Sequence, residues 1–172
     1  MIKSFKFGAL GAAMVLALSA CGGGDEGGGG GDPADVPLAQ APAQVQQYAA
    51  LFNAARSQNR TCGSVPAPAV QPLTKWNPAL QQAAQKHADD LSGRDVLTHT
   101  GADGSDVNSR SKAAGYNGFV VSENIAGGRG SPEAIMNAWM NSQGHCIGIM
   151  AGMANSVALA QNGKYTVMVF GD

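Results

Sequence analysis

Near its C-terminus the chain reads VALAQ, Asn162-Gly163, KYTVMVF, and no other stretch limits the possible folds so tightly. Two runs of strand-forming residues, 157–161 and 164–170, flank an Asn-Gly pair. Asn and Gly tolerate the positive φ that a two-residue hairpin turn demands, so the spacing predicts an antiparallel hairpin. Upstream the apolar residues follow a helical period instead. In AQVQQYAALFNAARSQ, 43–58, Val45, Tyr48, Leu51 and Phe52 form one stripe. Asn77-Pro78 is a helix start, with Asn as cap and Pro at the first helical position. The helix that follows carries Leu80, Ala83, Ala84, His87 and Leu91 on one side and stops at Gly93, and His87 reads as a packed histidine. TCGSVPAPAVQPL, 61–73, holds Gly63 and three prolines and reads as loop. A short helix is expected over 105–116, capped by Ser105 and stopped by Gly115. GFVVSENIAGGRG, 118–130, reads as a short strand entering a glycine-rich turn, and Ser131-Pro132 starts a helix over 131–142. Without a regular strand-helix-strand alternation, this order argues for an α+β fold with an antiparallel sheet.

The N-terminus points to export. Lys3 and Lys6 precede an uncharged run from Phe7 to Ala20 that is too short to span a bilayer, which takes roughly 20 apolar residues. Residues 1–20 therefore read as a signal peptide. Its end, Leu18-Ser19-Ala20-Cys21, resembles a bacterial lipobox, which implies a lipidated Cys21 at the mature N-terminus. Acyl chains at about 0.8 kcal/mol per buried CH₂ would hold the chain on a membrane. The Gly-rich stretch after it has no apolar periodicity and reads, out to residue 42, as a flexible acidic tether, leaving 43–172 as one domain. Gly22 rather than Asp after Cys21 suggests the outer membrane, if the cell has one. The expected location is the cell envelope, lipid-anchored and extracytoplasmic.

Composition narrows the function classes. The chain has 11 Lys+Arg against 12 Asp+Glu, and loss of the leader lysines leaves an acidic excess. No basic run or patch argues for nucleic acid. With Cys21 lipidated, Cys62 and Cys146 form an even pair in an oxidising compartment, and a disulfide is the expectation over a free thiolate beside His145. It would stabilise the fold by about 2–5 kcal/mol in the chain-entropy model.

Three ionisable groups then stand out. His99 lies in the loop DVLTHTGADGSD, Glu123 lies in the apolar strand between Ser122 and Asn124, and His145 follows the third helix across Gly144. A carboxylate within an apolar strand is costly unless paired or facing a polar cavity. Two imidazoles could supply hydrogen bonds, or the three side chains could share a divalent metal such as Zn²⁺ with an open fourth position. Arg110, one helix after the DGS turn, reads as a loop clamp, and Trp76 and Trp139 as core.

The set WNPAL, AAQKHADDL, LTHTGADGS, AGY, SENIAGG, SPEAIMNAWMNSQGHC and YTVMVFG, in that order over about residues 46–171, resembles the bacterial branch of the CAP superfamily. This is the SCP-like extracellular domain shared with cysteine-rich secretory proteins, antigen 5 and pathogenesis-related 1 proteins. The resemblance implies a three-layer α-β-α sandwich around a central antiparallel sheet and a cleft lined by His and Glu. His99 matches the first cleft histidine, Glu123 the glutamate of the S/G-E-N motif, and His145 the histidine of the bacterial SxGH motif. Cysteines at the CG and GHC positions support Cys62–Cys146. Some positions depart from the pattern. Ser142 stands where eukaryotic members have a second glutamate, Lys164 where their last cleft histidine lies, and Gly148 and Met168 where bacterial members tend to carry Asn and Gln.

Two functions follow as expectations. One is a monomeric ligand-binding or scaffold module of the cell envelope, whose cleft (His99, Glu123, Ser142, His145) takes a metal, a lipid or another small apolar ligand. The other is a hydrolase of peptide, ester or cell-wall substrates. It would use Zn²⁺ on His99, His145 and Glu123, or Ser142 as nucleophile with His145 as base and Glu123 as orienter.

Overall fold

A computed structural model describes residues 34–172. Residues 1–33, which hold the expected signal peptide, Cys21 and most of the expected tether, lie outside the described residues. A five-stranded sheet divides the molecule. Its strands are β1 (Val36–Pro37), β4 (Lys75–Trp76), β6 (Ser156–Asn162), β7 (Tyr165–Gly171) and β5 (Val120–Gly127), in the spatial order β1-β4-β6-β7-β5. All neighbours pair antiparallel except β4 and β6, which run parallel, so the expected antiparallel sheet is mixed at that one step. One layer of helices comprises α1 (Ala43–Arg56), α4 (Pro132–Met140) and α5 (Gln143–Ile149). The other comprises α2 (Pro78–Arg94) and α3 (Val107–Ala113). The α-β-α sandwich is borne out.

Strand alternation builds two cores. Val157, Leu159, Met168 and Phe170 face α1 and α4, where Tyr48, Phe52 and Trp139 pack with ring centroids 6.1–6.2 Å apart. Ala158, Ala160, Val167 and Val169 face α2, whose own Ala79, Ala84 and Ala88 allow close approach. The hairpin forms, but in a different register from the one the Asn-Gly pair suggests. Asn162 pairs with Tyr165, so the turn is Gly163-Lys164, with Gly163 at φ 59° and Lys164 not at positive φ. Glycine at the first central position is the type II′ pattern. This register puts Leu159 opposite Met168 and Val157 opposite Phe170 on one face, and sets Gln161 opposite Thr166, with a side-chain hydrogen bond of 2.7 Å. Cross-strand pairing of like with like decides the turn.

The helix starts are as read. Asn77 accepts from Ala79 N at 2.8 Å and Leu80 N at 3.1 Å, and Ser131 accepts from Ala134 N at 3.2 Å. Helix α2 runs through Gly93 and ends instead at Asp95, whose φ of 53° is left-handed and whose carboxylate accepts from Tyr165 Oη at 2.9 Å. The cap of α3 is Asp106 rather than Ser105, accepting from Ser109 N at 2.7 Å. Residues read as loop form a small hairpin of β2 (Arg60–Cys62) and β3 (Val65–Ala67). The folded body also starts before Ala43, because Val36 pairs with Trp76 and Leu38 N donates to Thr74 O at 2.8 Å.

Arg56, at the end of α1, is fully buried and donates to four backbone carbonyls. Its guanidinium reaches Gln71 O (2.9 and 2.7 Å), Ile149 O (2.7 Å), Ala151 O (3.0 Å) and Ala154 O (2.9 Å). It therefore closes the C-terminal end of α5 and ties that helix to α1. The Cys62–Cys146 disulfide, with Cα atoms 5.4 Å apart, ties the other flank of α5 to the small hairpin.

Candidate functional site: a carboxylate-oriented histidine at the sheet edge

Strand β5 lies at the edge of the sheet, and both helical layers meet along it. Ile125 belongs to the α2-side core, and by strand alternation Glu123 points to that same face. Ser122 and Asn124 point to the opposite face, toward α5: Ser122 Oγ donates to Gly148 O at 3.3 Å and Asn124 Nδ2 to His145 O at 3.2 Å. Gly148, one of the departures, has a packing reason. A Cβ there would meet Ser122 Oγ at 2.9 Å and Asn124 Oδ1 at 3.2 Å, so only glycine lets α5 sit this close to β5. Met168 is core on β7, opposite Asn124, and Lys164 pairs with Asp95 at 2.6 Å.

Glu123 is almost fully buried, with 3% of its side chain exposed, and each oxygen has its own partner. Oε1 lies 2.8 Å from His99 Nδ1 and Oε2 lies 2.6 Å from Arg110 Nη2. Arg110, whose side chain is 1% exposed, also donates through Nη1 to His99 O at 3.1 Å and Ser105 O at 2.8 Å. One guanidinium thus clamps the loop that carries His99 and neutralises the acid that orients its ring. The loop clamp was legible in the sequence, but the ion pair was not.

The pairing fixes the chemistry of His99. A carboxylate can only accept, so Nδ1 carries the proton, and the neutral ring presents a bare Nε2 lone pair. The side chain is 57% exposed, so that nitrogen is available to a ligand. Behind the pair, buried His87 donates from Nε2 to Thr98 O at 2.9 Å. Burial pushes its pKa below the usual histidine value, and the Arg110 charge pushes the same way while Glu123 opposes. His145, expected to follow a helix across Gly144, lies within the short helix α5, half-buried, with its ring 6.5 Å from that of Trp139. Burial first, and the nearby His99 second, hold its pKa below the usual value.

The structure brings His99 and Glu123 into contact and His145 within electrostatic reach of His99. Ser142 occupies the cap position of α5 and makes no side-chain cap bond. Among the described residues no hydrogen bond joins it to His145, and Glu123 orients His99 rather than His145. A three-ligand zinc set of His99, Glu123 and His145 does not fit this geometry. The ring nitrogen of His99 that faces Glu123 carries a proton, and the free nitrogen faces away from the carboxylate. Among the described residues no group of three or more His, Cys, Asp or Glu side chains is placed to hold an ion.

The profile of the CAP family, described as the cysteine-rich secretory protein family, matches residues 49–169, which includes every one of these site residues. The chain belongs to this family. Three solved structures share the CAP fold with it. An extracellular protein containing an SCP domain from Bacillus anthracis has a TM-score of 0.56 at 19% identity, over 59% of this chain and 34% of that one. An outer surface protein from Borrelia burgdorferi has a TM-score of 0.58 at 16% identity, over 81% of this chain and 98% of that one. A cysteine-rich secretory protein from Staphylococcus aureus has a TM-score of 0.56 at 16% identity, over 78% of this chain and 40% of that one. This CAP chain therefore spans under half of the Bacillus and Staphylococcus chains and nearly all of the Borrelia protein. A comparison with curated proteins returns no match. Among the described residues of this CAP chain no helix is long and apolar enough to cross a membrane.

Proposed function

We propose that this CAP protein is a lipid-anchored, extracytoplasmic binding module of the cell envelope, and that its cleft takes a ligand through His99 and His145. The observation that carries the reading is the 2.8 Å contact between His99 Nδ1 and buried Glu123, which leaves Nε2 exposed as an acceptor. A hydroxyl or amide N–H is the complementary ligand group. Tethering rests on the leader and Leu18-Ser19-Ala20-Cys21, and it agrees with a Borrelia neighbour described as an outer surface protein. A separate shallow groove at the end of β5 and along α4, lined by Ala126, Gly127, Arg129, Ala134, Ile135 and Ala138, suits an apolar group such as part of a lipid. A divalent metal enters this reading only as a ligand of the two imidazoles.

The hydrolase reading changes its residues. An exposed imidazole held by a carboxylate is the arrangement of a general base, so His99 rather than Ser142 and His145 would activate water. The test is saturation-transfer NMR of the full-length protein against cell-wall glycan fragments, peptides and lipids, with products followed by mass spectrometry. Binding that disappears in His99→Ala, without cleavage, is the expected result. Binding that survives His99→Ala unchanged, or no binding by any member of the panel, rejects the cleft. Cleavage that depends on His99 replaces the binding module with the hydrolase.

A further inference from the structure

We infer that a small cavity enclosed by α2, the loop 101–105 and Arg110 of α3 is a second binding site, for a small neutral molecule that presents a hydroxyl group. The cavity holds about 120 Å³, and His99 is not among the residues that line it, so it stands apart from the cleft. Two buried side chains of its wall each keep one polar atom without a hydrogen-bond partner among the described residues, His87 Nδ1 and Arg110 Nε. Folded proteins rarely leave such atoms unpaired, because desolvation without a partner is costly. Their chemistry defines what would pair them. His87 Nε2 faces the carbonyl of Thr98, which can only accept, so in the neutral ring Nε2 carries the proton and Nδ1 is an acceptor. Arg110 Nε can only donate. A hydroxyl donates and accepts at once and serves both, whereas a bare anion would set its lone pairs against that of Nδ1. The ionic groups of the wall do not require a charged guest either. Lys86 pairs with Asp103 at 3.3 Å, Asp90 with Arg94, and Arg110 with Glu123. The space exceeds the roughly 10–15 Å³ that one water needs and falls well below the roughly 300–1,000 Å³ of a drug-sized pocket, so it suits a short polyol rather than a glycan or a lipid tail. Its rim is held in place, since Ala102 N donates to Asp90 Oδ2 at 3.2 Å. The Lys86 and Asp103 side chains on that rim are each more than half exposed, so the cavity is reached from solvent.

The site does not depend on what the cleft binds, and glycerol is the probe. Nitrogen-correlated NMR of the full-length protein follows the His87 ring and the Arg110 Nε–H as glycerol is added. Both signals are expected to move along one saturating curve, half-complete at roughly 1–10 mM as befits about six heavy atoms, while the His145 ring signals stay in place. Two variants bracket the site. Ala102→Trp blocks the mouth from an exposed loop position and removes neither polar atom, and His87→Phe removes the acceptor and fills the space. Each is expected to weaken glycerol binding at least about tenfold, read at the Arg110 Nε–H. A response that rises linearly with glycerol, as for a bulk solvent effect, overturns the inference and leaves the cavity to water. So does a saturating response that Ala102→Trp leaves unchanged, or a stronger response to formate than to glycerol, which would make the guest an anion. If His87→Phe does not fold, Ala102→Trp decides alone.

Discussion

Truncating Glu123 to Ala tests how the site is held together. The substitution removes the carboxylate paired with Arg110 and strands a guanidinium whose side chain is 1% exposed. Breaking a buried ion pair from one side costs about 3–5 kcal/mol, chiefly because the surviving charge stays desolvated. At about 4 °C per kcal/mol for a domain of this size, the melting temperature should fall by roughly 12–20 °C. Urea unfolding at pH 7 should show a midpoint lower by about 2 M, taking a slope of about 2 kcal/mol/M. Glu123→Gln should cost less, since the amide oxygen can still accept from Nη2. Joining Glu123→Leu with Arg110→Met should recover most of the loss, because a buried pair replaced by apolar groups of similar volume is often neutral. A Glu123→Ala protein within about 1 kcal/mol of the unaltered one would refute the reasoning, since that is the worth of a solvent-screened surface pair.

Two further outcomes follow from the same structure. Arg56→Met strips the donors from four carbonyls at the C-terminal end of α5 and in the loops beside it, and should lower stability by about 3–4 kcal/mol by urea titration; a change under about 1 kcal/mol would contradict the clamp. His87 and His145 both have pKa values held below the ordinary 6.5 by burial. The unfolded chain then protonates first on acidification, so stability is full above about pH 6.5 and falls as pH drops toward the folded values. Urea midpoints should be level from about pH 8 to 7 and decline from about 6.5 to 5, less steeply in His87→Gln. A level profile down to about pH 5 would show that neither ring is held neutral.

The sequence carried the frame of the fold in side-chain signals that act locally. Asn77-Pro78 and Ser131-Pro132 start helices because an oxygen and a preset φ do their work within one turn. Cys62 and Cys146 were paired by parity and compartment, and the His99 and Glu123 contact followed from the cost of an acid in an apolar strand. What escaped reading lacks such signals. Strands β1 and β4 are two residues each, too short for any period, and the parallel step between β4 and β6 depends on them. Arg56 bonds only to carbonyls, which every residue offers, so nothing in its neighbourhood marks it. The ion pair of Arg110 spans two elements thirteen residues apart in sequence, and only the docking of α3 beside β5 brings them together. Helix α5 begins at Gln143 with Gly144 in its first turn, where glycine is tolerated but reads as a break.

Everything proposed for the cleft depends on the protonation of one ring, and nitrogen-correlated NMR of the imidazoles observes it directly. In neutral His99 the proton should be found on Nδ1, leaving Nε2 bare, and that preference should be lost in Glu123→Gln. A proton on Nε2, or a tautomer mixture that Glu123→Gln leaves unchanged, would contradict it.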